Sequence, residues 1–172
     1  MLIEHAKLTP GLIPRTYLIV DLDNICAGCS NTSPSTVTFM AKNLLAGLAN
    51  AGIDLRNLMT TIATGVETIY RNPLSAMSWP NSPRLLQGRG VDGADERILD
   101  VLNNDPALRR SRTVVIASGD HIYNDSVDDL NELGIETICA SYPGSLSAKL
   151  KSACSSSIEL VEPPSIEMGW IA

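Results

Sequence analysis

The chain has 172 residues and a formal charge of −6, with 44% apolar and 19% charged residues, an ordinary composition for one globular domain with a sizeable core. The acidic balance excludes passive electrostatic binding of a polyanion, so a nucleic-acid site would need a local basic cluster or bridging metal ions. No apolar run nears the roughly 18 residues of a membrane span, and the start, MLIEHAKLTPGLIPR, lacks the basic-then-apolar pattern of a secretory signal, so a cytoplasmic protein is expected.

In chain order, residues 1–15 read as an N-terminal extension and Tyr17 to Val20 as a strand buried on both faces. In SPSTVTFMAKNLLAGLANAG, Val37, Met40, Ala41, Leu44, Leu45 and Leu48 recur at helical spacing, with Ser33 or Ser35 as cap and Gly52 as stop. Leu58 to Ala63 is a second strand, VETIYRNPLSAMSWPNSP an irregular helical stretch, and RLLQG a short third strand. DGADERILDVLNN predicts a helix, and the β-branched run Thr113 to Ala117 a fourth strand. Tyr123, Val127, Leu130 and Leu133 share a helical face that Gly134 ends, and IETICAS is the fifth strand. SLSAKLKSAC is a last short helix, SIELVE a sixth strand, and residues 163–172 a tail whose Trp170 packs on a second subunit of a homodimer or folds back. Strands separated by helices predict a three-layer α/β/α fold, PIN-like or Rossmann-like, with a mainly parallel sheet of five to six strands over residues 16–162.

The four cysteines are Cys26, Cys29, Cys139 and Cys154. Zinc would want two close pairs, and the second pair here is widely spaced, so CAGC reads as a loop and Cys139 as strand packing. Six of the thirteen basic residues, Arg84, Arg89, Arg97, Arg109, Arg110 and Arg112, crowd into one stretch. A solvated surface explains such a cluster as readily as a nucleic-acid contact does.

The acids carry the functional signal. Open parallel sheets bind ligands beyond the carboxyl ends of strands, where strand order reverses. Asp21 follows the first strand and Asp120 the fourth, and in a 3-2-1-4-5 order those strands are neighbours. Two carboxylates that close repel, and Mg²⁺ or Mn²⁺ relieves the repulsion. Asn24 and Ser118 add oxygens beside them. In the helix at 92–104, Ala94, Ile98, Val101 and Leu102 mark the buried face, and Asp95 lies about 75° from its centre, on the boundary. A capping box of Asp92 and Asp95 is the competing explanation.

The segments YLIVDLDN, GRGVDGADERILDVL, TVVIASGDHIYNDSVDDLNELGIETI and GSLSAKL, in this order from Thr16 to Glu162, resemble the NYN-domain family of PIN-like metal-dependent ribonucleases, in particular a bacterial branch. The resemblance implies that Asp21, Asp95 and Asp120 are catalytic metal ligands for Mg²⁺ or Mn²⁺, supported by Asn24, Ser118 and Asp92. It also implies hydrolysis of RNA, single-stranded for preference, by a metal-activated water, leaving a 5′-phosphate and a 3′-hydroxyl. Arg84, Arg89 and Arg97, which flank Asp95, would hold the RNA backbone. Many members carry a second acid in SGDxDF where this chain has Ile122, followed by Tyr123; either Asp125 substitutes or a single ion is held. His121 beside Asp120 would be a general base or a solvent-facing loop residue.

Two alternatives stand beside that reading. IVDLDNI and GDHIYND resemble haloacid-dehalogenase-like phosphatases, with Asp21 as nucleophile, Asp23 as general acid and Asp120 with Asp125 on the metal. That chemistry needs a cation before the fourth strand; Lys7 and Lys42 are badly placed, which leaves Arg109 to Arg112. The other alternative is a catalytically weak RNA-binding module, which Ile122 favours.

Overall fold

The computed structural model describes residues 16–26, 34–65, 79 and 81–161, the side chains of 34–36 excepted. The expected extension, Ser33, Cys29, most of the irregular stretch at 66–83 and the tail lie outside the described residues, and Ser35 lies inside the helix that is described from Pro34, so it is not the cap. Six strands, β1 (Thr16–Asp21), β2 (Leu58–Gly65), β3 (Arg84–Gly88), β4 (Thr113–Ala117), β5 (Glu136–Ser141) and β6 (Ser156–Glu159), form one sheet in the order β3-β2-β1-β4-β5-β6. Every pair is parallel, as strands joined by helical crossovers must be. Among the described residues the α-helices are α1 (Leu22–Ile25), α2 (Pro34–Asn50), α3 (Gly93–Asn104), α4 (Asn124–Glu132) and α5 (Ala148–Ala153).

Alternation along the strands divides the core in two. Leu18, Val20, Val115, Ala117, Ile138 and Ala140 turn to one face and pack with Val37, Ala41, Leu44 and Leu48 of α2. Tyr17, Ile19, Val114, Ile116 and Cys139 turn to the other, against Ala94, Ile98, Val101 and Leu102 of α3, Val127 and Leu130 of α4 and Leu150 of α5. The result is the expected three-layer α/β/α architecture. All six residues of β1 are buried, and the run Tyr17 to Val20 leads directly to Asp21 at its end.

Helix ends follow the glycines. After α2, Gly52 adopts φ 84° and Ile53 N–H reaches back to the Leu48 carbonyl at 3.0 Å, closing the helix as a left-handed residue does. Gly134 (φ 77°) does the same after α4, with Ile135 N–H on Leu130 O at 3.1 Å. That reversal corrects one expectation: Leu133 is turned out, 53% exposed, and Ile135 takes the inward place at 6%. Cys139 and Cys154 are buried free thiols and Cys26 is buried, in keeping with packing roles.

Candidate functional site

Strand order reverses between β1 and β4, and the residues just beyond their carboxyl ends build the site. Asp21 continues the face of Tyr17 and Ile19, so its carboxylate points toward α3 at the edge of the core, 3% exposed. One oxygen, Oδ1, caps α1 by accepting the Asn24 N–H at 3.0 Å. The other, Oδ2, accepts the Ser118 hydroxyl at 3.1 Å and the Tyr123 hydroxyl at 2.9 Å. Burial, with the neighbouring Asp95 charge adding to it, pushes the Asp21 carboxyl up to about 6 against the bonds that favour its ionised form.

Asp95 comes to the same point from the first turn of α3. Its Oδ1 is 2.8 Å from the same Tyr123 hydroxyl, whose single proton the two carboxylates share, so one phenol stands between Asp21 and Asp95. Burial raises the Asp95 carboxyl, and the like charges of Asp120, Asp92 and Asp23 raise it further. Tyr123 is itself fully buried, and burial followed by the Asp21 and Asp95 charges holds its phenol far above the usual range, as a fixed donor. The capping-box expectation fails: Asp92 opens α3 without a side-chain cap bond, and Asp95 turns to Tyr123.

Asp120 lies at the mouth, with its side chain 36% exposed. Its Oδ1 caps the following turn through Ile122 N–H at 3.0 Å, and His121 Nδ1, on an exposed ring, is 3.2 Å from the same oxygen. Ser118 joins the two acids, since its Oγ donates to Asp21 and accepts the Asp120 N–H at 3.2 Å. Asn24 ties the two strand ends together, its Oδ1 accepting Gly119 N–H at 2.9 Å. Of the three supporting residues expected from the sequence, Ser118 and Asn24 are therefore in contact with the acids or with the loop that carries them, while Asp92 is exposed at the start of α3.

Asp23 has a different task. Its Oδ1 accepts the Thr64 hydroxyl at 2.9 Å and its Oδ2 the Gly65 N–H at 2.6 Å, which clamps the end of β2 to that of β1. Two glycines set the approach of α3 on the far side. A Cβ on Gly88 would meet the Gly93 carbonyl carbon at 1.9 Å, and one on Gly93 would meet Gly88 at 2.6 Å. Only this close backbone crossing from β3 lets α3 begin at the sheet edge with Asp95 in its first turn.

The other expected residues separate. Arg89 is exposed just beyond β3, and Arg97 Nε donates to the Gln87 carbonyl at 3.2 Å, so both border the acidic edge. Arg84 begins β3 and binds Asp105 at 2.8 Å, beyond the last turn of α3. It stands at the opposite end of α3 from Asp95. Arg109, Arg110 and Arg112 precede β4, about 16 Å along that strand from its carboxyl end. Asp125 opens α4 on its exposed side and makes no hydrogen bond or ion pair among the described residues. Ile122 is 42% exposed beside Asp120, and Val91 fully exposed beside Asp92.

Among the described residues, no three His, Cys, Asp or Glu side chains stand close enough to cage an ion. The donors at the sheet edge are all carboxylate oxygens, those of Asp95 and Asp120 partly open to solvent, whereas Asp21 already accepts three protein hydrogen bonds. That set fits a hydrated Mg²⁺ or Mn²⁺ held through one or two carboxylates and does not fit an ion enclosed by protein ligands. Tyr123 and Asp23 are the residues whose roles the sequence did not reveal; the only signal was an aromatic hydroxyl three residues after Asp120.

No family model matches the chain, and no curated protein does. A crystal structure of a protein of unknown function from Vibrio parahaemolyticus is similar in fold, with a TM-score of 0.61 at 12% identity over 90% of this chain and 98% of that one. No helix among the described residues is long and apolar enough to cross a membrane.

Proposed function

We propose that the protein is a cytoplasmic metal-dependent ribonuclease that hydrolyses phosphodiester bonds of single-stranded RNA. One observation carries the reading. Asp21 and Asp95, from distant segments, meet at the Tyr123 hydroxyl where the strand order reverses, Asp120 is near enough for its charge to act on Asp95, and burial with the charge of neighbouring acids raises both Asp21 and Asp95. Such a concentration of like charge is the arrangement a divalent cation relieves. The resemblance of the surrounding segments to NYN-domain nucleases supports RNA as the substrate.

Asp95 and Asp120, the acids open to solvent, would hold the ion. Once bound, Mg²⁺ or Mn²⁺ supplies charge to offset the scissile phosphate and lowers the pKa of a water. The chain's own residues do the placing. Ser118 and Asn24 fix the loop that carries Asp120, the β3–α3 crossing fixes Asp95, and Arg89 with Arg97 flanks the edge where an RNA backbone would lie.

The phosphatase alternative gains no support from the geometry: both oxygens of Asp23 are engaged at β2, and the arginines before β4 lie at the wrong end of that strand. The binding-module alternative keeps one observation, the exposed Ile122. Purified protein offered labelled single-stranded RNA and, separately, a phosphate monoester, each with Mn²⁺, separates them. RNA is expected to be cut, and Asp95→Asn and Asp120→Asn to slow cutting at least about a hundredfold. RNA left intact while still bound would identify the binding module, and monoester hydrolysis alone would identify the phosphatase.

A further inference from the structure

Tyr123 sits where a cation shared by Asp21 and Asp95 would have to sit. Its hydroxyl oxygen is 2.9 Å from Asp21 Oδ2 and 2.8 Å from Asp95 Oδ1. Its ring is fully buried, packed in the cluster with Ala94, Ile98 and Val127, so the phenol has no room to swing aside. Asp21 Oδ2 also takes the Ser118 hydroxyl at 3.1 Å, and Oδ1 takes the Asn24 N–H at 3.0 Å. Three of the roughly four acceptor positions of this carboxylate are thus filled by protein, and it is 3% exposed. Direct coordination asks for an oxygen about 2.1 Å from Mg²⁺, and the approach to Asp21 from Asp95 is closed by the phenol.

We infer that Tyr123 is a positioning residue that excludes the cation from the space between Asp21 and Asp95 and confines the site to a single ion on Asp95 and Asp120. Asp21 then acts at one remove: it anchors the Tyr123 hydroxyl and the Ser118 hydroxyl, and through them sets Asp95 and the Asp120 loop. This rests on the proposed metal-dependent chemistry, but it is read in metal binding and not in RNA cleavage. It also accounts for Ile122, since a site limited to one ion has no need of an acid there.

The test is Mn²⁺ titration of the full chain, followed by calorimetry for affinity and by the Mn²⁺ spin-resonance signal for stoichiometry. Wild type is expected to bind a single Mn²⁺, and Asp95→Asn to abolish that binding. Asp21→Asn, which removes an outer partner, should weaken binding only about tenfold. Tyr123→Phe should take up a second Mn²⁺, a gain that a merely structural tyrosine would not give. Thermal melts identify a variant that fails to fold; if Tyr123→Phe does not, the comparison of Asp21→Asn with Asp95→Asn decides. The inference is overturned if wild type binds no Mn²⁺ or two ions, if Asp21→Asn abolishes binding as fully as Asp95→Asn, or if folded Tyr123→Phe binds no second ion. Metal binding as expected with RNA left intact would sink the ribonuclease reading and leave this one standing.

Discussion

Asp23 accepts the Gly65 backbone N–H at 2.6 Å and the Thr64 hydroxyl at 2.9 Å, so the second acid after β1 is a clamp between strand ends. The Gly65 N–H lies where β2 runs past the end of its ladder with β1, and a carboxylate there satisfies it. Asp23→Ala should therefore destabilise the fold by about 2 kcal/mol, the range for stranding such donors, read as a lower urea midpoint with an unchanged m-value. Asp23→Asn should keep RNA cleavage within a few-fold of wild type. Loss of activity in a stably folded Asp23→Asn would return Asp23 to the chemistry.

The Asp21 carboxyl, lifted to about 6 chiefly by burial, makes stability depend on pH in a definite direction. The same group in an unfolded chain titrates near 3.9, so between about pH 4 and pH 6 the folded state binds more protons. Stability contributed by this group is present below that window and lost as pH rises through it, on the order of 3 kcal/mol in all. Without metal, the stability of wild type relative to Asp21→Asn should fall from pH 4.5 to pH 7 by about 2 kcal/mol, the part of that total which lies above pH 4.5. Asp95, raised in the same sense, remains in both proteins. A difference that is flat or grows with pH contradicts the assignment.

Much of the fold was legible because its signals are local and periodic. The apolar run ending in Asp21, the β-branched run before Ser118 and the 3.6-residue spacing of Ala94, Ile98, Val101 and Leu102 each report a face that is in fact buried. Alternation of strand and helix then fixed parallel pairing, and that brought Asp21, Asp95 and Asp120 to one edge. Periodicity could not see what depends on direction at the end of an element. Arg84 and Arg89 are five residues apart in sequence, yet β3 carries them to opposite ends of a strand. Tyr123 read as one more apolar position on a helical face, because nothing local tells where a phenol oxygen will end. Leu133 matched the same face and was turned outward by the chain reversal at Gly134. The four-residue α1 is too short for any period to register.

The crossing of Gly88 and Gly93 should be intolerant of any side chain. A methyl group on Gly88 would lie 1.9 Å from the Gly93 carbonyl carbon, and backbone cannot yield as a flexible side chain can. Gly88→Ala is expected to cost about 3 kcal/mol, the upper part of the overpacking range, and to lower RNA cleavage further by displacing the start of α3 and with it Asp95. Gly90→Ala is the control: nothing lies near its Cβ, and only its φ of 85° costs, about 1 kcal/mol. Urea unfolding of the two variants should show that ranking. Equal costs would mean that the close approach does not constrain the chain.

The arginines divide by position, and salt dependence can read that division. If Arg89 and Arg97 meet RNA at the acidic edge, each removal should weaken binding and reduce the slope of log affinity against log salt by about 0.7, the value for one phosphate contact on a single strand. Arg84 is held by Asp105 at 2.8 Å at the far end of α3. Arg84→Ala should leave the salt slope unchanged and lower stability by at most about 1 kcal/mol, since the guanidinium is largely solvated. Fluorescence anisotropy of labelled single-stranded RNA at several salt concentrations, with Ca²⁺ in place of Mn²⁺ to suppress cleavage, measures all three variants. A slope reduced by Arg84→Ala as much as by Arg89→Ala would move the RNA path off the sheet edge and along α3.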